Sequence, residues 1–195
     1  MSELIREYYN NNGTLKTKKY YNIDNKLHRE GGPAYVEYYE NGNINFELYY
    51  LNDEFHREDG PAVILYYENS TIKCEKYYIN GKIHRENDPA WTEYYQNGNI
   101  MCETYCINNK CHRENKPAWI DYYENGKIKY EAYYINDKNL TKEYNQYKNK
   151  LSKQTIKRED DINKLKIIKI VCKEKSDLKL LELVEGKIIA LQLSE

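Results

Sequence analysis

The chain has 195 residues, 30 basic against 31 acidic side chains, and 23 tyrosines beside two phenylalanines and two tryptophans. Balanced charge removes the broad attraction to a polyanion on which nucleic-acid binding draws, and aromatic surface that is nearly all phenolic suits half-exposed strands better than a dry core. The start, Met1-Ser2-Glu3-Leu4-Ile5-Arg6, lacks the apolar run of a secretion signal, no segment approaches membrane-span length, and five cysteines are an odd number for a disulfide framework, so a soluble cytoplasmic protein in a reducing compartment is expected.

In chain order, the first element is a loose copy of a repeat, with Tyr8-Tyr9 and Tyr20-Tyr21 one residue further apart than later pairs, a difference assigned to the turn at Asn10-Asn11-Asn12-Gly13. The period then becomes regular. His28, His56, His84 and His112 stand 28 residues apart, each opening His-Arg-Glu (His28-Arg29-Glu30, His56-Arg57-Glu58, His84-Arg85-Glu86, His112-Arg113-Glu114). Pro33-Ala34, Pro61-Ala62, Pro89-Ala90 and Pro117-Ala118 keep step, as do Tyr38-Tyr39, Tyr66-Tyr67, Tyr94-Tyr95 and Tyr122-Tyr123. A second pair follows at Tyr49-Tyr50, Tyr77-Tyr78, Tyr105-Cys106 and Tyr133-Tyr134, and the fifth copy breaks off where Leu140 replaces histidine.

Short β-prone segments punctuated by Asn-Gly, Asn-Asp or Asn-Asn dipeptides are hairpin signals, so each unit is expected to supply two antiparallel strands. Proline cannot donate to a ladder, which places a bulge or a short loop at His-Arg-Glu-x-x-Pro. Period-two alternation puts Ile44, Phe46, Leu48 and Tyr50 on one side, the drier, and Asn45, Glu47, Tyr49 and Leu51 on the other. Glu75, Glu103 and Glu131 repeat the Glu47 position, each two residues before Tyr77, Tyr105 or Tyr133.

After Tyr147 no aromatic residue remains, and from Thr141 onward 13 basic residues face nine acidic ones. A helix is expected over part of residues 150–165. Leu178, Leu181, Val184, Ile188 and Leu191 follow helical spacing, with Ser176 as N-cap and Gly186 as an early stop; periodicity leaves Ile167–Val171 open between strand and buried helix. The fold expected is therefore mainly β, an antiparallel sheet of stacked hairpins with about ten strands over residues 1–143, and a helical or α/β cap over residues 144–195 that covers the last apolar edge or docks a partner, including a second copy of the chain.

Tyr-Tyr-Glu-Asn-Gly (Tyr38 to Gly42, Tyr122 to Gly126), Tyr-Tyr-Ile-Asn-Gly-Lys (Tyr77 to Lys82) and His-Arg-Glu-Asp-Gly-Pro-Ala (His56 to Ala62) give residues 4–140 a pattern that resembles the MORN-repeat superfamily, and within it the YwqK-type antitoxin repeats found in giant DNA viruses. The resemblance implies an elongated, twisted single sheet and a role in protein interaction, membrane tethering or toxin neutralisation. Copy one, copy five and the replacement of Asp-Gly by Asn87-Asp88 and Asn115-Lys116 depart from the pattern.

Chemistry finds little purchase. Equivalent atoms in neighbouring copies lie about 10 Å apart if each copy adds two strands, whereas two imidazoles on one zinc approach within about 4 Å, so the histidines read as structural. Cys102, Cys106, Cys111 and His112 have zinc-ligand content, yet Cys102 takes the slot of Phe46, Cys74 and Tyr130, Cys106 that of Tyr50, Tyr78 and Tyr134, and Cys111 that of Phe55 and Ile83. These are positions for small hydrophobes, and no metal, cofactor or catalysis is expected. The candidate binding face combines Tyr49, Tyr77, Tyr105 and Tyr133 with Glu47, Glu75, Glu103 and Glu131, anchored by Trp91 and Trp119. Its carboxylates select a protein partner that is basic where it touches; anionic lipid bound through the Lys-rich stretch 148–179 is the alternative.

Overall fold

The structure, a computed structural model, describes residues 4–151, 155–156 and 159–193. The chain divides into two compact units, Met1–Lys110 with Asp121–Lys129, and Cys111–Ile120 with Tyr130–Glu195. The boundary expected at residue 143 lies inside the second.

The first copy is a hairpin of β1 (Leu4–Tyr9) and β2 (Leu15–Tyr21). In the second, β3 (Tyr35–Tyr38) and β4 (Ile44–Leu48) are followed by a miniature hairpin, β5 (Tyr50–Leu51) and β6 (Glu54–Phe55). The same four elements recur as β7 (Val63–Tyr66), β8 (Ile72–Lys76), β9 (Tyr78–Ile79) and β10 (Lys82–Ile83), then as β11 (Trp91–Tyr94), β12 (Ile100–Thr104), β13 (Cys106–Ile107) and β14 (Lys110–Cys111), and finally as β15 (Trp119–Tyr122), β16 (Ile128–Ala132), β17 (Tyr134–Ile135) and β18 (Lys138–Asn139). The long strands form one ten-stranded antiparallel sheet in chain order, and each short pair is a two-stranded sheet of its own.

Copies two to five thus carry four strands each, where two were expected. The physical cause sits at Tyr49 and its equivalents. Tyr49 N–H donates to Ala62 of the next copy at 2.8 Å while its carbonyl accepts from His56 N–H at 3.1 Å, and Tyr77 repeats both bonds with Ala90 and His84. With amide and carbonyl committed elsewhere, the second strand ends. The alternation drawn from Ile44 to Tyr50 therefore stops at Leu48, and Tyr50 belongs to the miniature hairpin, stacked on Phe55 at 4.3 Å with Tyr78 of the next copy 5.1 Å from Phe55.

The two hairpins use different turn chemistry. In the long ones a single residue has positive φ, Gly42, Gly98 or Gly126, with Ser70 in copy three, and a register shift accompanies Gly42, Ser70 and Gly98 in their ladders. In the miniature ones both central residues do: Asn52 and Asp53, Asn80 and Gly81, Asn108 and Asn109, Asn136 and Asp137. This is the primed turn that a two-residue hairpin loop needs, and Asn tolerates it better than any other residue with a Cβ.

Hydrogen bonding also re-registers copy one. Asn10 N–H to Thr14 and Gly13 N–H to Asn10 repeat the bonds of Tyr39 and Gly42, so Tyr9 corresponds to Tyr38, not to Tyr39. The turn at Asn10 to Gly13 is of ordinary length, and the extra residue lies in the turn Asn22 to Lys26, where Asn25 takes φ 60°.

His-Arg-Glu-x-x-Pro forms a short loop, the second of the two forms left open. The alanine after each proline, Ala34, Ala62, Ala90 and Ala118, is fully buried. Ala34 N–H bonds Leu48 of its own hairpin and its carbonyl takes Tyr20 N–H of the previous copy, so the backbone is gripped from both sides and only a methyl fits.

Among the described residues of the second unit, the helices that follow the last miniature hairpin are α1 (Thr141–Lys150), α2 (Ile162–Glu174) and α3 (Leu178–Gln192). Ile167–Val171 is buried helix. The part of the expected 150–165 helix at residues 152–154 and 157–158 lies outside the described residues. Asp177, not Ser176, caps α3 by accepting from Leu180 N–H at 3.1 Å, since Ser176 is used as a left-handed turn residue at φ 54°. Gly186 does not stop the helix, which runs six residues further.

The helices replace a sixth repeat. Tyr133 N–H, whose equivalents bond the next copy's alanine, donates instead to Thr141 Oγ1 at 3.1 Å. Leu140 stands in the histidine place, fully buried, with its N–H on the Tyr133 carbonyl at 2.7 Å. The Tyr133 ring stacks on Tyr144 of α1 at 3.8 Å, and both join a core with Ile135, Leu165, Ile168, Val171 and Val184.

Candidate binding surface

Cross-strand partners share a face, so the ladder registers can be followed from strand to strand. One unbroken row in the first unit reads Glu7, Lys18, Val36, Glu47, Ile64, Glu75, Thr92, Glu103. From Glu47 onward carboxylates recur at every second strand, about 10 Å apart, and the uncharged residues between Glu47, Glu75 and Glu103 are buried.

Each of these carboxylates is held by a phenol. Tyr66 donates to Glu47 Oε2 at 2.8 Å, Tyr94 to Glu75 and Tyr122 to Glu103 at 2.7 Å. The partner therefore comes from the copy that follows. The phenols two residues on in sequence have a different neighbour: Arg57 lies over the Tyr49 ring at 4.1 Å and Arg85 over Tyr77 at 3.9 Å, as Arg29 lies over Tyr20. Burial first, then the adjoining carboxylates, pushes the Tyr66 and Tyr94 phenols far above their ordinary range, so both are protonated donors.

His-Arg-Glu links consecutive copies. His56 Nδ1 lies 2.9 Å from Asn80 Oδ1 and 3.2 Å from Asn80 N, His84 bears likewise on Asn108, and His112 Nδ1 receives Asn136 N–H at 3.2 Å. His28 bears on Asn52 at 3.1 Å. Arg29, Arg57, Arg85 and Arg113 each bond the carbonyl of the proline four residues on, at 3.1–3.3 Å. Glu30 and Glu58 reach outward, more than three-quarters exposed. Between two such loops lies an open recess of about 370 Å³ lined by Arg29, Glu30, Tyr49, His56, Arg57 and Asp59 among others.

The expected anchors stand elsewhere. Trp91 pairs with Lys76 and Thr104, whereas its neighbour Thr92 pairs with Glu75 and Glu103; adjacent residues of a strand point to opposite faces, so Trp91 lies across the sheet from the carboxylate row. Lys76 Nζ covers its ring at 3.9 Å. The Tyr/Trp/acidic face therefore separates into two surfaces: Glu47, Glu75 and Glu103 with Tyr49 and Tyr77 on one, Trp91 with Phe46, Leu48 and Cys74 on the other. Trp119 opens β15 and is half-buried, Tyr105 is buried, and in the second unit Glu131 is half-buried and Tyr133 is consumed by the helical cap. The cysteines sit as hydrophobes: burial holds the Cys74 thiol up at about 11 and that of Cys102 at about 12.

A sheet of stacked hairpins with evenly spaced side-chain rows defines a repeat protein. In comparison with known families, three stretches of the chain, residues 34–52, 90–108 and 118–136, match the MORN repeat variant. The unmatched copy between them carries Ser70 where the matched ones carry glycine. Neither a curated protein nor a solved structure matches the chain. Among the described residues no helix is long and apolar enough to cross a membrane.

Proposed function

We propose that this chain is a non-enzymatic interaction module that holds a protein partner, basic on its contacting side, against the carboxylate row of its sheet. MORN repeats are commonly protein- or lipid-interaction modules. The observation that carries the reading is the row itself: Glu47, Glu75 and Glu103 present repeated negative charge, each pre-positioned by a phenol on Oε2. Pre-positioned charge loses little side-chain entropy on binding, and a partner with two or more cations gains from simultaneous engagement. Neutralising a cytoplasmic toxin or similar effector is the biological setting that fits.

Capture from the native cell tests it. Glu47→Gln/Glu75→Gln/Glu103→Gln should release the partner while Trp91→Ala, on the opposite surface, retains it. Release by Trp91→Ala alone would transfer the function to the other face. The lipid alternative has less support, because within residues 148–179 Lys148, Lys164, Lys166 and Lys169 each lie within 4.0 Å of a carboxylate. Flotation with vesicles rich in phosphatidylserine should leave the protein in the dense fraction.

A further inference from the structure

The sheet ends differently at its two margins. Beyond β16 the chain turns into α1, with Tyr133 N–H on Thr141 Oγ1, whereas at the other margin β1 ends the strand order and, among the described residues, pairs with β2 alone. It is a regular six-residue strand, because the bulge of its hairpin falls on Lys16 of β2. Leu4, Ile5, Tyr8 and Tyr9 are 48–58% exposed. By the bonding of the next copies, where Tyr20 N–H meets Ala34 and Tyr49 N–H meets Ala62, the residues of β1 whose amides and carbonyls face outward are Ile5, Glu7 and Tyr9.

Charge decides what such an edge accepts. Glu7 occupies the place that Val36, Ile64 and Thr92 hold in later copies, and it is paired inward with Lys18 at 2.9 Å and takes the Tyr9 hydroxyl at 2.7 Å. A strand like β4, β8 or β12 would set a second carboxylate opposite it. A second copy is disfavoured too. Two β1 strands related by a twofold must match outward-bonding residues, so centred registers oppose Arg6 to Arg6 or Glu7 to Glu7, and like charges directly opposite repel. A cation opposite Glu7 would instead continue the alternation of Lys18 and Glu7, and a carboxylate opposite Arg6 would relieve its pairing with Lys19.

We propose that the outer edge of β1 is a docking site for an extended segment of another protein, added antiparallel as a further strand, with Lys or Arg opposite Glu7 and Asp or Glu opposite Arg6. This is strand addition, in which backbone bonds give affinity and side chains give register. It rests on the interaction-module reading but uses the margin of the sheet instead of its face.

Two blocked synthetic peptides test it. Leu-Lys-Thr-Lys-Glu-Tyr-Tyr, the sequence of residues 15–21 with Lys19→Glu, sets lysine opposite Glu7 and glutamate opposite Arg6 in the register of the repeat. Ile-Asn-Phe-Glu-Leu-Tyr-Tyr, residues 44–50, sets glutamate opposite Glu7. Titration into the full chain, followed by amide NMR, should move and protect Ile5, Glu7 and Tyr9, with the first peptide binding roughly tenfold more tightly. Glu7→Lys/Lys18→Glu, which keeps the inner pair, should reverse that order. Equal binding, no binding, or an unchanged order in the swapped variant overturns the proposal. The Glu47→Gln/Glu75→Gln/Glu103→Gln variant should bind the first peptide as the unmodified chain does; loss there would assign the peptide to the face and refute the edge.

Discussion

Glu47, Glu75 and Glu103 illustrate how much a single phenol contributes. Tyr66 donates to a carboxylate, whereas Tyr39, Tyr67 and Tyr95 donate to main-chain carbonyls of the following copy at 2.8–2.9 Å. Hydrogen bonds to charged acceptors are the stronger, so Tyr66→Phe is expected to lower stability by about 2 kcal/mol and Tyr39→Phe by about 1 kcal/mol, read as shifts in the denaturant midpoint. Equal shifts would show that the carboxylate is not held. The row of glutamates was legible from spacing alone, but its phenol was not. Tyr66 lies 19 residues from Glu47 and reaches it only through pairing between copies, and Trp91 could not be placed across the sheet until the register was known. Copy one misled for a similar reason: Tyr8-Tyr9 looks like Tyr38-Tyr39, and only the turn bonds show the one-residue offset.

Among the elements, α1 matters most, because it ends the repeat by imitation. Leu140 takes the histidine position, Thr141 the acceptor of the next alanine, and Tyr144 the place that arginine holds over the other tyrosines. Leu140→Ala removes a fully buried side chain and should cost about 2–4 kcal/mol; Leu140→His, which restores the repeat motif, should destabilise as well because an imidazole would enter an apolar core. Thermal melts of both variants check this, and a stable Leu140→His would show the cap to be dispensable. The helical periodicity of residues 178–191 and the departure at Leu140 were visible in the sequence. The miniature hairpins were not: a two-residue strand is too short for any period, and Asn-Asp or Asn-Asn announces a turn without saying that both residues must be left-handed.

For the whole molecule, tyrosine makes stability depend on alkaline pH. Tyr66, Tyr94, Tyr133 and Tyr147 are raised by burial and then by hydrogen-bonded neighbours. A raised phenol favours the folded state while unfolded tyrosine is still protonated. The contribution is therefore complete below about pH 10 and is lost as pH climbs from there toward the folded values. Absorbance of phenolate should show these four tyrosines ionising only together with unfolding. On the acid side, the Lys166 ammonium hydrogen-bonded to Glu114 at 2.6 Å holds that carboxyl below its usual range. Its support is present above about pH 4.5 and fades below, so Lys166→Met should flatten the acid limb of the stability curve. Composition announced the phenolic character of the chain; which phenols are buried depended on the stacking.

Every copy is bonded to its neighbours through the same positions, His56 to Asn80, Arg57 N–H to Tyr78, Ala62 to Tyr49. Excising residues 62–89 would therefore join chemically equivalent ends and shorten the array by one period, and inserting a duplicate would lengthen it by the same step. Each such edit adds or deletes one carboxylate at a constant pitch, so the length of the charged row is a quantity that a lineage can dial through copy number, without redesigning any single contact.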